Sequence, residues 1–340
     1  MPRSKIITFV ALATLSVAGL AQQTSQATVS ARPGTLNYTE GQSVLDGRTL
    51  NAGAETGKTL AAGQSLSTTT GKAEILLTPG IFLRIGSNST VQMISPNLTH
   101  TEVRLEQGRA NLEVDELYNQ NRILIDLPNG QAQIMKKGLY AFDASSSSVS
   151  TFDGQANVYP GSDLTTNVKP VQVKGGRRLV LAGDTLQPVK FDKNQAKDDL
   201  YNWGSLRSQY LGEANLQLAS SYAGYSGFNP GWYWAGGGYG YTWLPGNGLW
   251  WNPYGFGFYS PYYLYGGGPI YGGYYGGFRG GYGYRGGYGY RGGAAGYRGN
   301  PAAAAFQNRT AGGGGFRGGG MMGGGGGGFH GGGGGGGGHR

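Results

Sequence analysis

From Ala73 to about Ala182, apolar and polar residues alternate in short runs broken by turn residues, the pattern of successive half-buried β-strands. Ile75 to Thr78 runs into Pro79-Gly80; beyond that turn Ile81, Leu83 and Ile85 point one way, and Phe82 and Arg84 the other. Ser87-Asn88-Ser89 turns the chain before Val91 and Met93. Val103 and Leu105 precede a turn at Gly108, and Ala110, Leu112 and Val114 then alternate with Asn111, Glu113 and Asp115. Ile123, Ile125 and Leu127 repeat the scheme up to Pro128-Asn129-Gly130. Each strand supplies only two or three inward side chains, so several must stack to exclude water. The predicted fold class is all-β, with short antiparallel strands in a sandwich, a roll or a short solenoid.

The period then changes. Asp198 and Asp199 precede Leu200, Trp203, Leu206, Tyr210, Leu211, Ala214 and Leu218, a helical spacing with acidic residues at the positive end of the helix dipole. One helix is predicted within residues 191–221; Gly204 and Gly212 weaken it, so it is expected to lie against the β domain. Residues 222–265 show neither period. They hold five of the six tryptophans, Trp232, Trp234, Trp243, Trp250 and Trp251, in Asn229-Pro230-Gly231-Trp232-Tyr233-Trp234 and similar runs. Such a segment forms either a compact module of loops and short strands or a sticky unstructured patch.

From residue 266 onward the chain is mostly Gly, Tyr and Arg, with Arg279, Arg285 and Arg291 six apart. Too few apolar side chains remain to offset the backbone entropy, so disorder is expected there. About 50 of the 69 glycines follow Ser221, which leaves the earlier part of the 340 residues to bury a core. The N-terminus carries Arg3 and Lys5, then an apolar run from Ile6 to Leu20 that ends on small residues, as in a secretory signal. Residues 1–21 are taken as that signal, with cleavage after Ala21 or Ala27, and residues 22–40 as a linker to the β domain at 41–190. The run is shorter than the roughly 20 residues needed to span a bilayer, so no membrane span is expected after cleavage.

Charge and composition narrow the chemistry. The net charge of +9 comes from Arg3, Lys5 and seven tail arginines, with no Asp, Glu or Lys after Glu213, so residues 22–213 are neutral. The absence of Cys removes thiol nucleophiles, thiolate metal sites and disulfides together. His100, His330 and His339 are the only histidines, and two of them lie in glycine, too little for a triad or a histidine metal site. Gly53-Ala54-Glu55-Thr56-Gly57-Lys58-Thr59 is one residue short of a phosphate-binding loop and is read as a turn. Glu113, Asp115 and Glu116 are the densest carboxylates; their alternation with Ala110, Leu112 and Val114 assigns Glu113 and Asp115 to a solvated strand face. No cofactor, metal or catalytic group is expected.

The β segment resembles the periplasmic FecR-type domain, named after the ferric-dicitrate regulator of bacteria. The resemblance is carried by Gly71-Lys72-Ala73-Glu74-Ile75-Leu76-Leu77-Thr78-Pro79-Gly80, then Ile81-Phe82-Leu83-Arg84-Ile85-Gly86-Ser87-Asn88-Ser89. Val103-Arg104-Leu105-Glu106-Gln107-Gly108-Arg109-Ala110 and Phe152-Asp153-Gly154-Gln155-Ala156-Asn157-Val158 extend it. It implies an all-β, non-enzymatic envelope module. Regulators of this family carry a cytoplasmic segment that handles a sigma factor, whereas this chain opens on an export signal.

The expectation is therefore an exported protein, periplasmic or at the cell surface, that binds or scaffolds, with a relay of a protein contact to a separate regulator as the alternative. Its expected partners are envelope proteins or anionic and carbohydrate envelope polymers, with self-association and without nucleic acid. Arg279, Arg285, Arg291, Arg298 and Arg317 are the candidates for polyanion contact or self-association. The five clustered tryptophans are the candidate aromatic binding residues, because aromatic faces stack on sugar rings.

Overall fold

The alternation becomes fifteen strands of one sheet. In the computed structural model the described residues are 31–54, 57–161, 169–182 and 185–271, so the export signal and the tail arginines lie outside them. The first strands are β1 (Thr35–Leu45), β2 (Arg48–Thr49), β3 (Ser65–Leu76), β4 (Ile81–Ile85) and β5 (Ser89–Pro96). Then come β6 (His100–Gln107), β7 (Arg109–Val114), β8 (Arg122–Leu127), β9 (Gly130–Ile134) and β10 (Gly138–Asp143). The last five are β11 (Ser148–Asp153), β12 (Gln155–Pro160), β13 (Val171–Lys174), β14 (Arg177–Val180) and β15 (Val189–Lys190).

The order across the sheet is β13-β12-β9-β8-β6-β5-β3-β4-β7-β10-β11-β14-β15, with β1 lying along β3 and β2 on β1. The long strand β3 is the fold line. Its first residues, Ser65–Thr68, pair with β5, and its last, Ala73–Leu76, pair with β4. At the bend a Cβ on Gly41 would come within 2.1 Å of the Thr70 carbonyl oxygen, and one on Gly71 within 2.3 Å of that of Glu40. Only glycine lets β1 and β3 approach this closely, and Gly41 also has a φ of 71°.

Folding at β3 turns one face of each half inward. Ile75, Leu83, Leu112 and Phe142 from one half, and Val91, Val103, Ile125 and Val158 from the other, belong to one buried cluster. The inward residues predicted from the alternation of β4 to β8 all lie in it. Of the three expected arrangements this is a roll. Among the described residues all strand pairs are antiparallel except β6 with β8, which run parallel. The reason is topological: after β6 the chain crosses to the other half as β7, pairs there with β4 and β10, and returns as β8 in the direction of β6.

A second layer covers the outer face of the β3-β4-β7 half. It consists of α1 (Asp199–Ser221), the hairpins β16 (Gly231–Trp234) with β17 (Tyr241–Leu244) and β18 (Leu249–Trp251) with β19 (Gly257–Tyr259), and the short helix α2 (Pro261–Tyr265). Asp198 caps α1, its carboxylate accepting the Tyr201 backbone N–H at 2.8 Å. Arg109 then ties the cap to the sheet, donating to Asp198 at 2.5 Å and Asp199 at 3.3 Å.

The helix face differs from the predicted stripe. Leu200, Trp203, Leu211 and Ala214 are buried as expected, but Leu206 and Tyr210 are exposed, and Arg207, Ser208 and Asn215 are buried instead. The two glycines also have a use beyond weakening the helix. A Cβ on Gly204 would meet the Tyr254 hydroxyl at 2.7 Å, and one on Gly212 the Gly257 carbonyl at 3.3 Å. They let the aromatic segment lie flat on α1. Leu76 and Phe82 of the sheet, Leu211 of α1, and Trp232, Tyr241, Trp243 and Phe258 form the resulting second core.

Candidate functional site: a buried charge cluster and an exposed aromatic face

Strand alternation sends Glu74, Arg84 and Glu113 to the same outer face of β3, β4 and β7, and the second layer seals all three from water. The Arg84 Nε donates to Glu74 Oε2 at 2.7 Å, one terminal nitrogen to Glu113 Oε2, and the other to Ser208 Oγ at 3.0 Å. From α1, Arg207 donates to Glu74 Oε1 at 2.8 Å and to the Tyr239 carbonyl at 2.7 Å, with its guanidinium 4.1 Å from the Tyr38 ring centre. Ser208 donates to Glu113 Oε2, and Asn252 of the aromatic segment donates to Glu113 Oε1 at 2.6 Å. Asn37 closes the circuit, donating to Glu74 Oε1 at 2.8 Å and accepting the Tyr241 N–H at 2.6 Å.

Two carboxylates therefore face two guanidinium groups in a dry layer, and α1 and the turns of both hairpins each bond at least one of them. Burial pushes the Glu74 carboxyl up, but Arg207 and Arg84 outweigh it and hold it below its ordinary value. Burial likewise pulls the Arg84 guanidinium down, and Glu113 with Glu74 more than offsets it. This arrangement corrects the solvated-face reading of Glu113 and Asp115: Glu113 is fully buried and Asp115 nearly so. Alternation identified the face correctly. It could not show that residues more than ninety positions later would cover it.

Asp115 differs from its neighbours. No hydrogen bond of ordinary geometry reaches either carboxylate oxygen. Burial, and then the adjacent Glu113 carboxylate, push it well above its ordinary value, so it stays protonated where free carboxyls ionise. Its stability contribution falls as pH rises from the ordinary carboxyl range through its raised folded value. Glu74 has the opposite sign: its contribution is present above the ordinary range and is lost as pH falls through its lowered folded value. Asp115→Asn is accordingly expected to raise the melting temperature, and by more at pH 8 than at pH 5. Thermal unfolding of both proteins at the two pH values checks this; a loss of stability at pH 8 would contradict it.

The candidate tryptophans divide by position. Trp243 is fully buried and Trp232 nearly so; Trp232 meets Phe82 edge-on at 5.0 Å and Trp243 meets Phe258 at 5.8 Å. Both are packing residues whose faces a ligand does not reach. Trp234 and Trp250 are half-buried, Trp250 with Lys137 Nζ 5.3 Å from its ring centre. Trp251 alone of the five is exposed, at 52%, and lies 5.8 Å from the ring of Tyr271. The short Gly53–Thr59 motif leads into no helix: Gly53 bridges Thr39 and Thr59 bridges Thr35, next to β1.

An exposed aromatic face lies where α1 ends, and it was not foreseen from the sequence. Tyr222, Phe228, Tyr233 and Tyr262 form a chain of ring contacts at 5.0 to 6.2 Å, joined by Tyr225 at 6.2 Å from Tyr222. Tyr225, Tyr262 and Tyr265 are outward, Tyr265 at 72% exposure. The clue in the sequence was the spacing Tyr222, Tyr225, Phe228 immediately after the last helical turn. Among the described residues no group of three or more His, Asp or Glu side chains has the geometry of a metal site. No helix among them is long and apolar enough to cross a membrane.

Comparison with known proteins places the β roll. Residues 64–157, from just before β3 into β12, match the model of the FecR protein family. Glu74, Arg84 and Glu113 lie inside the matched span, while Arg207, Ser208, Asn252 and the aromatic face lie outside it. Two crystal structures of a "putative anti-sigma factor" from Parabacteroides distasonis align with the chain, each at 10% identity and a TM-score of 0.33. Each alignment covers 39% of this chain and 62% of the other, so the chain spans less than two thirds of the length of those proteins. No curated protein matches the chain.

Proposed function

We propose that this FecR-domain chain is an exported, non-enzymatic binding or scaffolding module of the bacterial envelope, whose second layer displays the Tyr225, Tyr262 and Tyr265 face to a partner. The observation that carries this reading is the contrast between the two sites. The charged cluster, which has the residue types for chemistry, is sealed and internally paired. The aromatic face, which has none, stands open. Large rigid rings on a folded base are suited to contact: they offer broad apolar area at little cost in side-chain entropy, and tyrosine hydroxyls tolerate a wet, polar partner. Envelope proteins and carbohydrate polymers both fit such a surface. Export, with the mature chain starting at Gln22 or Thr28, belongs to the same proposal.

Cosedimentation of the mature chain with purified envelope material tests it. Replacing Tyr225, Tyr262 and Tyr265 together by Ser is expected to reduce retention at least fivefold while leaving the fold intact, since all three are outward. Unchanged retention would overturn the role of the face. The FecR match favours a second reading, a relay that passes a protein contact to a separate regulator. Under that reading, deleting the gene changes transcription governed by a sigma factor; under scaffolding it changes envelope integrity alone.

A further inference from the structure

The sequence holds two Asn-Gly pairs, Asn129–Gly130 and Asn247–Gly248. In such a pair the glycine nitrogen is one ring closure away from the asparagine side-chain carbonyl carbon, and glycine has no side chain to hinder the approach. The fold treats the two pairs differently. Asn129–Gly130 turns the chain between β8 and β9, with Gly130 inside the sheet, paired with Leu127 on one side and Pro160 on the other. A Cβ on Gly130 would come within 2.4 Å of the Tyr159 carbonyl oxygen. Asn247–Gly248 lies in the connection between β17 and β18, where Asn247 is exposed and Gly248 has a φ of 65°. Among the described residues nothing accepts the Gly248 N–H, and nothing lies within 4 Å of where a Cβ would stand.

The peptide that joins Asn247 to Gly248 has one further contact: its carbonyl oxygen accepts the Trp250 indole N–H at 2.8 Å. When the Gly248 nitrogen loses its proton, the negative charge is shared with that oxygen, and a donor already in place stabilises it. The Asn129 carbonyl also accepts a hydrogen bond, from the Gly161 N–H at 2.9 Å, but the nitrogen of its peptide belongs to Gly130 in the ladder. We infer that Asn247–Gly248 is a site of spontaneous deamidation, with the Gly248 nitrogen as nucleophile and the Trp250 indole steadying the charge that forms on its peptide. The Gly248 nitrogen gives its proton to water and bonds to Asn247 Cγ; the Cγ–Nδ2 bond breaks, and Nδ2 takes up a proton and leaves as ammonia. One water then opens the cyclic imide at either carbonyl, giving aspartate or isoaspartate. The product places a carboxylate in a stretch that holds no charged residue from Ala214 to Phe278, and isoaspartate adds a methylene to the main chain between the two hairpins.

Incubation of the full chain in mildly alkaline buffer, followed by peptide mapping and mass spectrometry, measures both pairs in one sample. Asn247 is expected to lose ammonia at least about tenfold faster than Asn129, which must wait for its ladder to open. In urea the two rates are expected to converge. Native rates that are equal, or faster at Asn129, would overturn the inference. So would the same ratio in urea as in the native protein, because the local sequence would then explain it. Trp250→Phe keeps a ring and removes the N–H, and is expected to slow Asn247 at least about threefold, the worth of one hydrogen bond. A turn that merely loosened would react faster, so an unchanged or increased rate would remove the indole from the mechanism. The comparison of Asn247 with Asn129 in the unaltered chain stands whether or not that variant folds.

Discussion

Ending the chain at Ser221 is expected to abolish cooperative unfolding of the β roll rather than trim an appendage. Such a chain keeps Leu76, Phe82 and Leu211 but loses Trp232, Tyr241, Trp243 and Phe258, which cover them. Re-exposing three large apolar side chains costs roughly 5–9 kcal/mol, at about 1.5–3 kcal/mol each. A whole domain is stable by only about 5–15 kcal/mol. The truncation also removes Asn252 from Glu113 and the Tyr239 carbonyl from Arg207, uncovering the charged layer. Thermal denaturation followed by circular dichroism, comparing chains that end at Tyr271 and at Ser221, is expected to show one sharp transition for the first and a broad, aggregation-prone one for the second. A sharp transition at the same temperature in both would show that the roll stands without its second layer.

Arg84→Leu is expected to destabilise the fold by about 3–5 kcal/mol, because it leaves a buried carboxylate without its counter-charge. Arg84 bonds Glu74, Glu113 and Ser208 at once, yet the loss is not shared equally among them. Glu74 retains Arg207 and Asn37, whereas Glu113 retains only the neutral donors Ser208 and Asn252. Glu113 is therefore the group that suffers. Adding Glu113→Gln to Arg84→Leu should recover more than half of the lost stability, since a neutral amide no longer needs the guanidinium. Urea denaturation of the two single variants and the double variant measures this. Simple addition of the two single losses would contradict the assigned pairing.

How much of this was legible in the sequence depended on the range of the interaction. The roll strands announced themselves locally: Ile81, Leu83 and Ile85 alternate with Phe82 and Arg84, Ala110, Leu112 and Val114 alternate with polar neighbours, and all six lie in the first core. Turn glycines and the acidic cap of α1 were legible for the same reason. The second layer was not, because its partners are far apart in the chain: Asn37 with Tyr241 is 204 residues apart, and Glu113 with Asn252 is 139. Hydrophobic patterning also misled at α1. It favoured Leu206 and Tyr210 for the buried face, whereas Arg207 and Ser208 occupy it because the sheet beneath presents Glu74 and Glu113. An arginine inside the run Ile81–Ile85 was the one local hint that a buried charge waited for a partner.

The tryptophan-rich segment shows the same limit. Its composition left a compact module and a sticky patch both open and offered the tryptophans as binding residues, but Trp232 and Trp243 form part of a core that the sheet supplies from its own outer face through Leu76 and Phe82. The exposed rings follow from what remains after that packing: Tyr225, Trp251, Tyr262, Tyr265 and Tyr271 lie at the rim, outside the reach of the sheet. A surface made this way is rigid, because its base is a packed layer. That rigidity is what the proposed contact role needs.

Native-state hydrogen exchange on the mature chain tests the central claim, that the β roll and the aromatic segment unfold as one body. The backbone amides of Tyr241–Leu244 and Gly257–Tyr259 are expected to exchange with the same opening free energy as those of Ile81–Ile85 and Arg109–Val114, because one core and one charge cluster join them. Exchange of the two aromatic hairpins at rates close to those of an unstructured chain, with the roll still protected, would contradict it.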